Sequence, residues 1–247
     1  MKRILAIFFL LFAWQASAMT LEEANRRFDA GDFSGAVLGY QELLKEKGPD
    51  AAIYYNLGNS HQRLKQYGPA ILAYERARLL KPRDPDLTAN LALARKAATA
   101  FEEPGMNPRL AAVLSYLSRD EWSWLVGGSA LLLGVLAVVR GAVVWPRRMN
   151  IPAVVVSSFA GLAIVAGSVA LWLRRDEVTR GIVLTEKASV LLSPFEKAEV
   201  IGTAAAGRTV RLGESKGGFR YVEVPASTLR GWLSEKDVEP VQPEAGK

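Results

Sequence analysis

The chain has 247 residues, half of them hydrophobic and 23% charged, which excludes wholesale disorder and leaves room for one or two domains. There is no Cys and a single His, His61, so disulfides, thiolate metal sites, thiol nucleophiles and His-rich metal centres are excluded. Lys and Arg outnumber Asp and Glu by 31 to 25, and the excess is spread along the chain rather than gathered in a basic patch, so the charge is no sign of nucleic-acid binding.

Residues 1–18, MKRILAIFFLLFAWQASA, are predicted to be a secretory signal peptide. Lys2 and Arg3 form a positive start, Ile4 to Trp14 is an apolar run, and Ala16-Ser17-Ala18 is a small-residue cleavage site before Met19. The 11 apolar residues reach about 16 Å as helix, well short of a hydrocarbon core of ~30 Å, which argues against an uncleaved anchor.

Residues 19–101 carry a repeat. Phe33, Ala36 and Tyr40 return 34 residues later as Tyr67, Ala70 and Tyr74. A 34-residue period of helix pairs is the tetratricopeptide signature, and residues 51–84 fit it through Tyr54, Leu57, Gly58, Tyr67, Ala70, Tyr74, Ala77 and Pro82. Two repeats and a closing helix of about residues 85–101, opened by Asp84-Pro85, are predicted. Stacks of this kind need about three units, so the membrane or a partner is expected to complete this one. Inner helices of such a stack face a peptide-binding groove. The repeat register places Asn25, Tyr55, Asn59, Gln62, Arg63 and Asn90 there. Asn side chains can hold a peptide main chain through paired donor and acceptor bonds; the alternative is that they cap or bridge helices internally. The Lys residues of a carboxylate clamp are absent. His61, on the same helix, is read as packed or solvated.

Residues 102–118 form a linker and a short helix with an apolar stripe of Leu110, Val113, Leu114 and Leu117, expected to lie in a membrane interface. Two spans follow, a first transmembrane helix within 119–145 and a second over 151–173, joined by a loop at 146–150. Their apolar cores are 23 residues each, or about 35 Å as helix, enough to cross a bilayer with some tilt. Trp122, Trp124, Trp145 and Trp172 flank them as an aromatic belt. Ser118 and Glu121 have capping-box spacing, and Pro152 suits the first turn of the second span. The short loop makes an antiparallel hairpin, with Ala130/Gly134, Ser157/Gly161 and Ala163/Gly167 as close-packing pairs. If residues 19–118 are exported, the loop is cytoplasmic and the C-terminal part is outside again. Arg140, Arg147 and Arg148 agree with that orientation, while Arg174 and Arg175 oppose it.

After a linker at 174–179, the pattern changes to period two over 180–242, before a tail at 243–247. Strands are predicted at about 180–185, 188–192, 208–213, 218–224 and 230–234, a five-stranded unit closing into a small barrel. The segments ASVLLSP, AAGRTVRLGES and GFRYVEVP, with the later LRGWLSEKDVEPV, resemble bacterial SH3-like domains. That resemblance implies a ligand face formed by Phe219, Tyr221 and Trp232; alternatively Tyr221 and Trp232 fill the barrel core. The fold class expected for the whole is therefore α + membrane + β: tetratricopeptide helices, a two-helix transmembrane hairpin and an SH3-like β-barrel.

The order of signal peptide, repeats with YYNLGNSHQRL and AILAYERARLLKPRDPD, the NLALA helix, the SRDEW start of a hairpin and a final barrel is similar to BatE-type proteins of the Bat aerotolerance operon. The resemblance implies a bacterial inner-membrane protein with both soluble parts in the periplasm. It also implies the company of von Willebrand A-domain membrane proteins and a MoxR-type ATPase. Phosphate-loop, dinucleotide, zincin and nucleophile-elbow motifs are absent, and the carboxylates read as solvated faces. No enzyme activity, metal or cofactor is expected. The expected function is a membrane-anchored scaffold that binds protein partners. The alternative is a cell-wall sensor whose SH3-like domain binds peptidoglycan.

Overall fold

The structure, a computed structural model, describes residues 19–100, 108–142, 147–225 and 227–242. The predicted signal peptide, residues 102–107 of the predicted linker, the end of the first span with Trp145, and the tail lie outside the described residues.

Five helices open the chain: α1 (Leu21–Asp29), α2 (Phe33–Lys47), α3 (Ala51–Arg63), α4 (Tyr67–Leu80) and α5 (Pro85–Ala97). Local chemistry sets four of the starts. Thr20, Asp32, Asp50 and Asp84 each accept a backbone N–H of the first turn that would otherwise lack a partner. The repeat extends to the backbone. Gly31, Lys65 and Thr99, spaced by 34 residues, close α1, α3 and α5 in the left-handed region at φ +82°, +60° and +52°. Residues with a β-carbon rarely take that conformation, so its recurrence at Lys65 and Thr99 reflects the demand of the turn. Packing explains Gly58: a β-carbon there would sit 2.6 Å from the Tyr74 ring. Tyr40, Tyr74, Leu43, Ile71 and Leu87 fill the core between helices.

Helix α6 (Pro108–Ser115) leads into two helices of 24 residues each, α7 (Arg119–Ala142) and α8 (Asn150–Leu173), with a 3-10 turn at Arg147–Met149 between them. The predicted capping box is present and reciprocal: Glu121 N–H donates to Ser118 Oγ at 3.1 Å, and Ser118 N–H donates to the Glu121 carboxylate at 2.7 Å. Among the described residues, α7 and the helix running on from α8 are long and apolar enough to cross a membrane. The two pack together through Ala160, Gly167 and Ala170. Of the predicted small-residue pairs, only Gly167 makes a close approach, where a β-carbon would lie 2.5 Å from the Val126 side chain; Gly134 and Gly161 face open space.

The C-terminal part is an antiparallel sheet of seven strands rather than five. The strands are β1 (Arg180–Val183), β2 (Lys187–Leu191), β3 (Val200–Ala205), β4 (Thr209–Lys216), β5 (Phe219–Glu223), β6 (Arg230–Ser234) and β7 (Val238–Pro240), in the order β3-β2-β6-β5-β4-β1-β7. β3 and β7, which the five predicted strands do not include, are the ends of that order. Val183, Val190, Val210, Val222 and Leu233 form the core of the sheet.

Sheet and helices are not separate bodies. β1 is buried on both faces: Val183 faces the sheet core, while Ile182 joins the hydrophobic core of the helices, together with Val241. A β-carbon on Gly68 of α4 would lie 2.4 Å from the Leu184 carbonyl, and one on Gly207 would lie 2.4 Å from Ile71 Cδ1. The sheet therefore covers α4 and the end of α5, the place where a further helix would otherwise complete the stack. Arg76 donates to the Glu239 carboxylate at 2.7 Å and to the Pro240 carbonyl at 2.9 Å.

Glu75 corrects the expectation that the carboxylates lie on solvated faces: it is 1% exposed. Arg78 of α4 and Arg95 of α5 donate to it, and Arg180 of β1 stands 3.7 Å away. Burial by itself raises a carboxyl pKa, but the three guanidinium groups outweigh it and hold Glu75 at about 2. Its stabilising contribution is thus complete above the ordinary value of 4.5 and is lost as pH falls towards about 2. Glu75→Gln leaves three partly buried guanidinium groups without their counter-charge and is expected to cost about 3 kcal/mol at neutral pH. It is also expected to flatten the loss of stability between pH 4.5 and 2, read by chemical unfolding of the detergent-solubilised protein.

Candidate functional site

The six residues assigned to the groove lie on α1, α3 and α5, whose successive packing forms the inner row of the stack. Five of them join a polar ladder. In its first rung, the Tyr40 hydroxyl donates to Asn25 Oδ1 at 2.7 Å and Asn56 Nδ2 donates to the same oxygen at 3.2 Å. In its second, the Tyr74 hydroxyl donates to Asn59 Oδ1 at 2.7 Å and Asn90 Nδ2 donates to it at 3.2 Å. The second rung is the first displaced by 34 residues, with the same partners and the same lengths. Each Asn oxygen thus binds its own outer helix and the next inner helix at once.

The second rung is the larger. Asn90 Nδ2 also donates to the Tyr55 hydroxyl at 2.7 Å, and Gln62 Oε1 lies 2.8 Å from the Tyr74 hydroxyl, which has one proton for two acceptors. The Tyr55 and Tyr74 rings are 6.0 Å apart. Burial pushes the Tyr40 hydroxyl up to about 12 and raises Tyr74 as well, so both remain neutral donors at physiological pH. Arg63 stands apart, exposed at the end of α3 with its guanidinium 5.0 Å over the Phe33 ring. His61 is packed: it is buried beside Gln66 at 2.7 Å, and burial lowers its pKa below the ordinary value, so it is neutral near pH 7.

In the sequence Tyr40 and Tyr74 stand out as repeat markers, and neither they nor Asn56 belong to the six expected groove residues. The signal that could have found their role is the 15-residue spacing of Asn25 to Tyr40 and Asn59 to Tyr74, which recurs in both repeats. The inner row is thus an Asn-rich, half-buried surface, and the Asn25 and Asn59 oxygens are already committed to the fold.

The aromatic set of the sheet lies on one face. Tyr221 pairs with Trp232 across β5 and β6, Phe219 pairs with Ser234, and the Tyr221 and Trp232 rings meet edge to face at 5.5 Å. Val222 and Leu233 point to the other face, into the sheet core. Trp232 is nevertheless buried, whereas Tyr221 and Phe219 are half-exposed. Among the described residues, no group of three or more His, Cys, Asp or Glu is placed to hold a metal. Comparison with models of known protein families finds none that matches the chain, and a search of curated proteins finds no match.

The ladder predicts that inner-row Asn residues carry stability. Asn25→Ala takes from the Tyr40 hydroxyl its acceptor and is expected to cost about 1–3 kcal/mol in chemical unfolding; a cost near zero would mean the rung is not formed.

Proposed function

We propose that this chain is a membrane-anchored, non-enzymatic scaffold of the bacterial cell envelope, built on tetratricopeptide repeats and a small SH3-like sheet. The observation that carries the reading is the 34-residue recurrence of one hydrogen-bond rung and one left-handed helix end, the mark of a stacked repeat, a class of structure that offers concave surfaces to partners. The similarity to BatE-type proteins suggests the partners: von Willebrand A-domain membrane proteins of the same operon, served by a MoxR-type ATPase. The same similarity and the signal-like N-terminus favour a periplasmic position for helices and sheet, with the 146–150 loop in the cytoplasm.

The ladder decides how the groove is tested. Asn59→Ala would weaken both fold and groove, so loss of binding in that variant is ambiguous. Arg63→Glu reverses the charge of an exposed side chain whose contact among the described residues is with the Phe33 ring. Crosslinking in whole cells followed by purification of the full chain is expected to recover the von Willebrand A-domain proteins, and Arg63→Glu is expected to reduce that recovery several-fold at unchanged expression. Recovery of an unrelated partner set would overturn the reading, as would full recovery by the Arg63→Glu and Tyr55→Ala chains alike.

A further inference from the structure

The short helix α6 is tied to the wall of apolar helices at one end. The Trp122 indole N–H, in the first turn of α7, donates to the Leu114 carbonyl at 3.0 Å. Arg174, the first residue after α8, donates to the Leu114 carbonyl at 3.0 Å and to the Leu117 carbonyl at 2.7 Å. These bonds satisfy carbonyls that the end of α6 leaves without helical partners. They also fix α6 at the end of the hairpin marked by Trp124 and Trp172, both exposed, the second with Arg175 stacked 4.4 Å over its ring.

Only part of the α6 stripe is used by the protein. Leu114 is buried, but Leu110 is 42% exposed, Val113 63% and the adjoining Tyr116 70%. A solvated helix end would not carry these side chains outward beside Trp124 at 78%. The charges around them come in both signs: Arg83, Arg109, Arg119, Arg174 and Arg175 stand with Asp120, Glu121, Asp176 and Glu177. An anionic surface is therefore not selected by charge. Arg83, from the loop between α4 and α5, joins this junction to the stack: it donates to the Tyr116 carbonyl at 2.6 Å and to the Glu121 carboxylate at 3.0 Å, with its guanidinium 5.0 Å over the Tyr116 ring.

We propose that Leu110, Val113 and Tyr116 form a lipid-docking surface, entering the headgroup–acyl boundary of the leaflet at the Trp122/Trp172 end of the hairpin, and that Arg83 transmits this contact to the repeat stack and so sets its height above the bilayer. The proposal rests on α7 and α8 crossing a membrane. The partner is a lipid surface because Trp122 and Arg174, at the ends of the two apolar helices, both donate to the Leu114 carbonyl and so hold α6 at the mouth of the hairpin. Binding through apolar side chains rather than net charge makes the docking insensitive to anionic lipid and to salt.

The absence of Cys makes the test direct. Single Cys residues replace Val113, Leu131 in α7, or Lys45 in α2, in the full chain, and are spin-labelled in nanodiscs of phosphatidylcholine alone or with phosphatidylglycerol. Collisions with oxygen, enriched in lipid, are compared with those of a water-soluble nickel chelate. Val113→Cys is expected to show lipid-side accessibility close to that of the bilayer interface, Leu131→Cys that of the acyl region, and Lys45→Cys that of water. The Val113 result should be the same in both lipid mixtures. A water-exposed Val113 label beside a lipid-exposed Leu131 label overturns this proposal and leaves the spans intact, whereas water at both positions overturns the spans. A Val113 label shielded from both reagents means a protein partner covers α6 and overturns it too. Arg83→Ala tests the transmission: the Val113 label stays in lipid, while a label at Lys45 is expected to gain mobility.

Discussion

A carboxylate cut off from water organises this molecule. Glu75 lies where α4, α5 and β1 converge, and each of those elements sends one Arg to it. The cations remain partly in contact with solvent while the anion does not, so the arrangement works only when all three elements are in place. An ion group of this kind adds little attraction over an apolar contact of similar size, but it penalises the undocked state, in which an apolar strand face and the helical core would both be exposed. Ile182, Val241, Gly68 and Gly207 supply the apolar contact that Glu75 accompanies. Helices that would be a marginal stack alone are thus completed by a sheet instead of by a further helix.

Much of this was legible in the sequence, and the limits of legibility have physical causes. The repeat was visible because a stacked unit constrains side-chain size at fixed spacing: Gly58 must be small under Tyr74, and Tyr40 and Tyr74 must reach the Asn of the preceding helix. The capping box was visible because its chemistry is local. β3 and β7 were not. VIGTAA interrupts its apolar residues with Gly202 and lies at one end of the sheet, with only β2 to pair with, and β7 is three residues ending in Pro240, which cannot donate to a ladder. Glu75 was hidden because AYERAR reads as an ordinary amphipathic face, and burial there comes from a strand 105 positions further on. The hint that sequence did hold is the run Gly181-Ile182-Val183-Leu184, apolar on both faces, in a sheet otherwise expected to wet one side. The candidate groove was placed by register, but register cannot tell an Asn that faces a ligand from one that bridges helices. The oxygens of Asn25 and Asn59 do the latter.

The docking has a consequence for membrane topology that does not depend on charge counting. Two spans in a hairpin return the chain to the side it left. The repeat stack lies before the hairpin and the sheet lies after it, yet Arg76 reaches Glu239 and Arg180 reaches Glu75. If α7 and α8 cross a bilayer, stack and sheet must therefore occupy one face of it, with Arg148 on the other. Arg174 and Arg175, which oppose the positive-inside rule for an exported stack, have structural work instead: one binds the end of α6 and the other covers Trp172.

That shared face is the central claim, and labelling with a membrane-impermeant maleimide tests it most directly. Single Cys residues at Lys45, Arg148 and Lys236, each exposed and each introduced into the Cys-free full chain, are treated in sealed inner-membrane vesicles of known orientation. The account predicts that Lys45→Cys and Lys236→Cys always react together and Arg148→Cys reacts only in vesicles of the opposite orientation. Reaction of Lys45→Cys without Lys236→Cys, or the reverse, would contradict it.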